Sequence, residues 1–151
     1  MKIAISAEST VDLPKELLKE YDIHTIPYTI IMNGQEYLDG EIMPEEIFAK
    51  VEETKSLPKT SAINETQYEE YFASLLKDYD GIVHFSLSSE ISSACKNAVL
   101  ASEKFKNVYV CDSKSLSTGI ALLAIYARKL ANEGLSAKEV YEKANARVPK
   151  V

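Results

Sequence analysis

The chain has 151 residues, 46% hydrophobic and 26% charged. That is an ordinary globular composition, and a domain of this size buries roughly 68–70% of its unfolded surface without disulfide or metal staples. A net charge of −6, with no Lys/Arg run interleaved with aromatics, argues against nucleic acid as a partner.

Met1-Lys2 leads directly into Ile3-Ala4-Ile5, too short an apolar run for a signal sequence, and a strand is predicted there. Asp12-Leu13-Pro14 is expected to open a helix, with Asp12 as N-cap and Pro14 in the first turn. His24 to Met32 is β-rich and reads as one strand, turned at Asn33-Gly34 into a short hairpin partner around Glu36-Tyr37-Leu38. Pro44-Glu45-Glu46 begins a second helix. The segment Pro58-Lys59-Thr60-Ser61 reads as a loop, after which Asn64 or Thr66 can cap a third helix. Ile82 to Leu87 reads as a strand buried on both faces, followed by a helix from about Ile91 to Phe105 and a strand from Val108 to Cys111. A long helix runs through Ile120 to Ala127, and Ser136 with Glu139 marks the start of a last one. The Ile120–Ala127 run meets Arg128 and cannot span a bilayer, so a cytoplasmic protein is expected.

Strands alternating with helices of this length imply an α/β fold, a three-layer αβα domain with a mainly parallel, Rossmann-like sheet. In such sheets ligands bind beyond the carboxyl ends of the strands. Hydroxyl-rich segments gather at four points: Ser6 to Thr10, Thr60-Ser61, Ser86 to Ser93 and Ser113 to Thr118. Hydroxyls and free helix N–H groups together can hold a carboxylate or phosphate. The third segment carries five serines in eight residues, more than capping requires. A purely structural reading, in which these residues only cap helices and turns, stands beside the binding one.

No phosphate-loop or dinucleotide glycine pattern and no nucleophile elbow is present. His84, between Val83 and Phe85, reads as a core histidine with one hydrogen bond. No His, Cys and carboxylate set has metal spacing, and Cys95 and Cys111 read as buried thiols. No cofactor is expected. A serine-dependent hydrolase or phosphotransferase using Ser92, or Ser113 with Asp112, lacks an evident base.

The ordered set of segments resembles the DegV family of bacterial fatty-acid-binding proteins. The resemblance rests on Ser9-Thr10-Val11-Asp12-Leu13-Pro14, Tyr37-Leu38-Asp39-Gly40, Pro58-Lys59-Thr60-Ser61, Ser86-Leu87-Ser88-Ser89-Glu90-Ile91-Ser92-Ser93, and Asp112-Ser113-Lys114-Ser115 with Gly119. It implies a long-chain fatty acid as ligand, with Thr60, Ser61 and Ser92 at the carboxylate and Ser88 and Ser89 nearby. It also implies a binding protein rather than an enzyme, one that presents the acyl carboxylate to a fatty acid kinase subunit. The family pattern carries an aspartate where Glu8 stands, glycines at Glu90 and Ser93, and a threonine at Ala94. Residues 1–151 correspond to the family's first domain, and the second domain, which supplies basic and histidine contacts to the head group, is expected to be missing from this chain.

Overall fold

A computed structural model describes residues 1–151. Its first strand, β1 (Ile3–Glu8), is buried along its whole length and occupies the middle of a four-stranded parallel sheet. The chain continues through a short 3₁₀ turn at Ser9–Val11, α1 (Lys15–Glu20), β2 (Ile23–Ile26), β3 (Thr29–Met32), β4 (Gln35–Leu38), α2 (Pro44–Thr54) and β5 (Lys59–Ser61). Then come α3 (Glu65–Leu75), β6 (Gly81–Ser86), α4 (Ala94–Ser102), β7 (Val108–Asp112), α5 (Ser117–Asn132) and α6 (Ala137–Arg147). The parallel sheet has the order β2-β1-β6-β7. Helices α3 and α4 cover one face, while α5 and α6 cover the other, giving the expected αβα layers. One cluster of 29 buried residues runs through both interfaces.

The β-rich run 24–32 is two strands in two sheets. Pro27 has no N–H to donate, so it cannot continue a paired strand, and the chain turns there. Beyond it, β3 pairs antiparallel with β4 and β5 to form a small second sheet of order β4-β3-β5. The β3–β4 turn places Asn33 and Gly34 at φ 53° and 76°, the left-handed pair that a two-residue hairpin needs. Thr60-Ser61 is therefore strand, not loop: Ile30 pairs with Thr60 and Thr29 with Ser61.

The first helix also starts later than expected. A residue before proline is pushed out of the helical region, so Leu13 cannot lie in a first turn. Asp12 instead closes the 3₁₀ turn at φ 53°, and Pro14 takes the N-cap position of α1. Asn64 caps α3 with a complete capping box: its side chain accepts from Gln67 N–H, while the Gln67 side chain accepts from Asn64 N–H.

Two loops at the carboxyl edge of the parallel sheet brace each other. Ser88 N–H donates to the Ser115 carbonyl at 3.2 Å, and Ser113 N–H donates to the Ser86 carbonyl at 3.1 Å. A Cβ at Gly119 would collide with the Ser115 side chain, so this close approach requires glycine. At the opposite edge, the buried Arg128 guanidinium donates to the Tyr21 and Asp22 carbonyls, each at 2.8 Å, and ties α5 to the turn before β2.

Candidate ligand-binding site

The two sheets meet over a cavity of about 320 Å³ lined by Tyr28, Thr60, Ala62, Leu87, Ile91, Ser92 and Ser93. Each wall comes from a different element. Tyr28 sits in the kink between β2 and β3, with its N–H donated to Ser9 Oγ at 3.1 Å. Thr60 is carried by β5, at the exposed rim. Leu87 follows β6 directly, and Ser92 and Ser93 lead into α4. The Tyr28 and Ser92 hydroxyls share a hydrogen bond of 3.1 Å, and Ser92 Oγ also accepts from Ala94 N–H at 3.1 Å. Burial pushes the Tyr28 phenol above its ordinary pKa, so it stays a neutral donor. The arrangement is four hydroxyl-bearing residues, Tyr28, Thr60, Ser92 and Ser93, beside an apolar strip of Leu87, Ile91 and Ala62. That combination suits an oxyanion attached to a hydrocarbon.

Thr60 and Ser92, 32 residues apart in the chain, are thus brought together. Ser61, the next residue along β5, does not line the cavity, as the alternation of a strand requires. Ser88 is buried beneath it, where its Oγ accepts from Glu90 N–H at 3.3 Å. Ser89 turns the other way: its N–H donates to Asp112 Oδ1 at 3.2 Å, and Lys114 Nζ donates to its Oγ. Burial raises the Asp112 carboxyl, but the donors on Ser89 and Lys114 outweigh it and hold the group below the usual carboxylate value. Ser113 is buried and donates to the Ser115 carbonyl at 3.2 Å. No imidazole or carboxylate bonds to Ser92 or Ser113, so neither is activated as a nucleophile. Sequence reasoning gave no site role to Ala62, Leu87, Ile91 or Ser93, nor to Tyr28. Its signal was Pro27, which marks the kink that turns Tyr28 inward.

A groove of about 430 Å³ lies apart from the cavity, where Ser9 to Lys15 meets Asp39-Gly40. Two of the characteristic segments thus build a turn, whose Asp39 N–H donates to the Tyr28 carbonyl at 2.8 Å and so fixes the tyrosine kink.

The model of a family described as "Uncharacterised protein, DegV family" matches residues 2–151. The chain belongs to the DegV family. A DegV domain-containing protein of Caldanaerobacter subterraneus is 32% identical, covering 99% of this chain and 54% of that protein. A Thermotoga maritima protein named "Fatty acid-binding protein" is 33% identical, over 98% of this chain and 53% of its own length. The structure of a DegV family protein from Thermus thermophilus, described as fatty acid binding, superposes with a TM-score of 0.89 at 28% identity. It covers 99% of this chain and 54% of that one. A DegV lipid-binding protein of T. maritima gives 0.86 at 34% identity, with 99% of this chain and 55% of that one covered. The chain spans about half the length of the curated relatives it matches.

Two departures from the DegV pattern resolve in the structure. Glu90 points to solvent, with its side chain 80% exposed and Lys114 Nζ 4.0 Å away, so its charge is screened. Glu8 does not enter the cavity. Its carboxylate is fully buried, accepting from Ser86 Oγ at 2.8 Å and Leu87 N–H at 2.9 Å, and it pairs with His84 Nε2. His84 Nδ1 lies 2.9 Å from Ser6 Oγ, which meets the Tyr71 hydroxyl at 2.5 Å. The core histidine therefore has two partners rather than the expected one. Ser6, His84 and Glu8 have the order of a hydrolase relay, yet all three are fully buried in this DegV chain and no cavity residue is among them.

Proposed function

We propose that this chain is a fatty-acid-binding module. The Tyr28, Thr60 and Ser92 hydroxyls hold the carboxylate, with Ser61 pairing in the strand that carries Thr60 and Ser88 and Ser89 shaping the loop before Ser92. The first part of the acyl chain lies along Leu87, Ile91 and Ala62. The observation that carries this reading is the convergence of hydroxyls from two sheets on an apolar-walled cavity. Relatives named for fatty acid binding support it. A cavity of about 320 Å³ is at the low end for ligand sites, so it suits a head group and a short length of tail. A second domain of the kind implied by the length of the relatives supplies the remaining wall. Each CH₂ left in water forfeits ~0.8 kcal/mol, so the single domain binds weakly.

The module is a carrier and does no chemistry. It presents the carboxylate to a kinase subunit in the cytoplasm, and that partner brings the ATP. The test is titration of dodecanoate into this chain and into T60A, S92A and the double variant, following tyrosine fluorescence. Loss of one charge-assisted hydrogen bond is expected to weaken binding by about 1.5–3 kcal/mol per hydroxyl. Unchanged affinity in the double variant contradicts the site. The carrier role is tested by adding fatty acid kinase and ATP to the loaded protein, where acyl phosphate is the expected product.

A further inference from the structure

On the α5–α6 face of the molecule, two smaller cavities meet at Tyr126. One, of about 240 Å³, is lined by Tyr126, Lys143, Ala146, Arg147 and Lys150. The other, of about 210 Å³, adds Leu122, Leu123 and Val151. They share Tyr126, Arg147 and Lys150 and so form one cleft, cationic at one end and apolar at the other. It has no residue in common with the hydroxyl cavity. Three cations converge there although the chain carries a net charge of −6. Lys143 and Arg147 stand four residues apart on α6, a like-charge spacing that weakens a helix. None of the three pairs with a carboxylate, whereas Lys104, Lys114 and Arg128 each do. The helix macrodipole accounts for Arg147 in the last turn of α6, but not for Lys143 a turn earlier or Lys150 beyond it. Arg147 is also held in place. Its guanidinium lies 4.9 Å over the Tyr126 ring, a stacking that uses its flat face and leaves its N–H fork for an oxyanion.

We propose that this cleft binds a phosphate monoester carrying a small apolar group. Arg147 takes two phosphate oxygens with its fork, and Lys143 and Lys150 complete the neutralisation as point charges. The apolar group of the ester lies against Leu122, Leu123 and Val151, beside the Tyr126 ring. A dianion is favoured over a singly charged carboxylate because three cations face it. The apolar end is smaller than the hydroxyl cavity and too small for a long acyl chain. This site is therefore separate from the fatty-acid site, and neither reading depends on the other.

The test titrates phenyl phosphate into the 151-residue chain at about pH 8, where the ester is doubly charged. NMR shifts are followed at Leu122, Tyr126 and Ala146. Saturable shifts there, weakening as salt rises, are expected. Arg147→Gln should weaken binding about tenfold, as loss of a bidentate contact does, and Lys143→Gln about two- to fivefold. Both side chains are exposed, so neither substitution removes core packing. Inorganic phosphate lacks the ring and is expected to bind more weakly; equal affinity overturns the apolar half of the assignment. Dodecanoate should leave these signals still, and saturable shifts by it here would overturn the choice of phosphate. No saturable shift with phenyl phosphate, or unchanged affinity when Arg147→Gln and Lys143→Gln are combined, overturns the proposal outright.

Discussion

At the residue scale the molecule separates its hydroxyls into those that face a cavity and those that hold loops. Thr60, Ser92, Ser93 and Tyr28 line it; Ser88 and Ser113 are consumed by backbone partners, and Ser89 accepts from the Lys114 side chain. Glu8 belongs to neither group, and its burial is the costly feature. Its two oxygens satisfy Ser86, Leu87 and His84 at once. Truncation by Glu8→Ala leaves all three donors unmatched and is expected to cost about 3–5 kcal/mol in urea unfolding, the usual penalty for breaking a buried pair. A loss below 1 kcal/mol contradicts the assigned network. The cysteines are inert for a related reason. Burial pushes the Cys95 thiol up to about 11 and Cys111 up to about 12. Iodoacetamide at pH 8 should label neither until the chain unfolds, because the thiolate is the reacting form. The serine-rich segment was legible in the sequence as a site, since five serines in eight residues exceed what one helix start can use. The Glu8–His84 contact was not legible, because it depends on β1 and β6 lying side by side in one register, with Ser6 opposite His84.

At the element scale, the alternation of strands and helices was readable throughout, and the breaks were set by proline. Pro14 delays α1 and Pro27 splits a β-rich run between two sheets, while β5 has only three residues and no apolar pattern to announce it. The way helices begin distinguishes capping from binding. Asn64 is a true cap, so Asn64→Ala should lower stability by about 1 kcal/mol. Ser93 stands at the N-cap position of α4 but makes no capping bond. Ser93→Ala is therefore expected to change stability by no more than ~0.5 kcal/mol, and a loss of a full cap's worth in chemical denaturation would support the purely structural reading of the serines.

At the scale of the whole molecule, a parallel sheet and a small antiparallel sheet are joined by a kink, and the cavity lies where they meet. The layers follow from strand–helix alternation and the β3–β4 hairpin from its Asn33-Gly34 turn, but the pairing of β3 with β5, which contributes Thr60, is long-range and no local pattern encodes it. Stability as a function of pH follows from burial. Burial lowers the pKa of His24, against the pull of Asp22, so its folded value lies below the unfolded value of about 6.5. The folded state then resists protonation, and the contribution is complete above about pH 6.5 and lost as pH falls below it. Asp112 acts in the same direction at lower pH: its folded value is depressed, so its contribution is present above about pH 4 and lost as pH falls further. Urea midpoints measured from pH 8 down to pH 3 should fall in two stages, and His24→Gln should remove the first.

The central claim concerns the meeting of Thr60 and Ser92 over one bound head group. The direct measurement is backbone and tyrosine-ring NMR of this chain titrated with dodecanoate. Shifts concentrated at Tyr28, Thr60, Leu87 and Ser92 are predicted, with the α5–α6 surface around Tyr126 and Arg147 unmoved. Saturable shifts confined to that surface, with Thr60 and Ser92 silent, would contradict it.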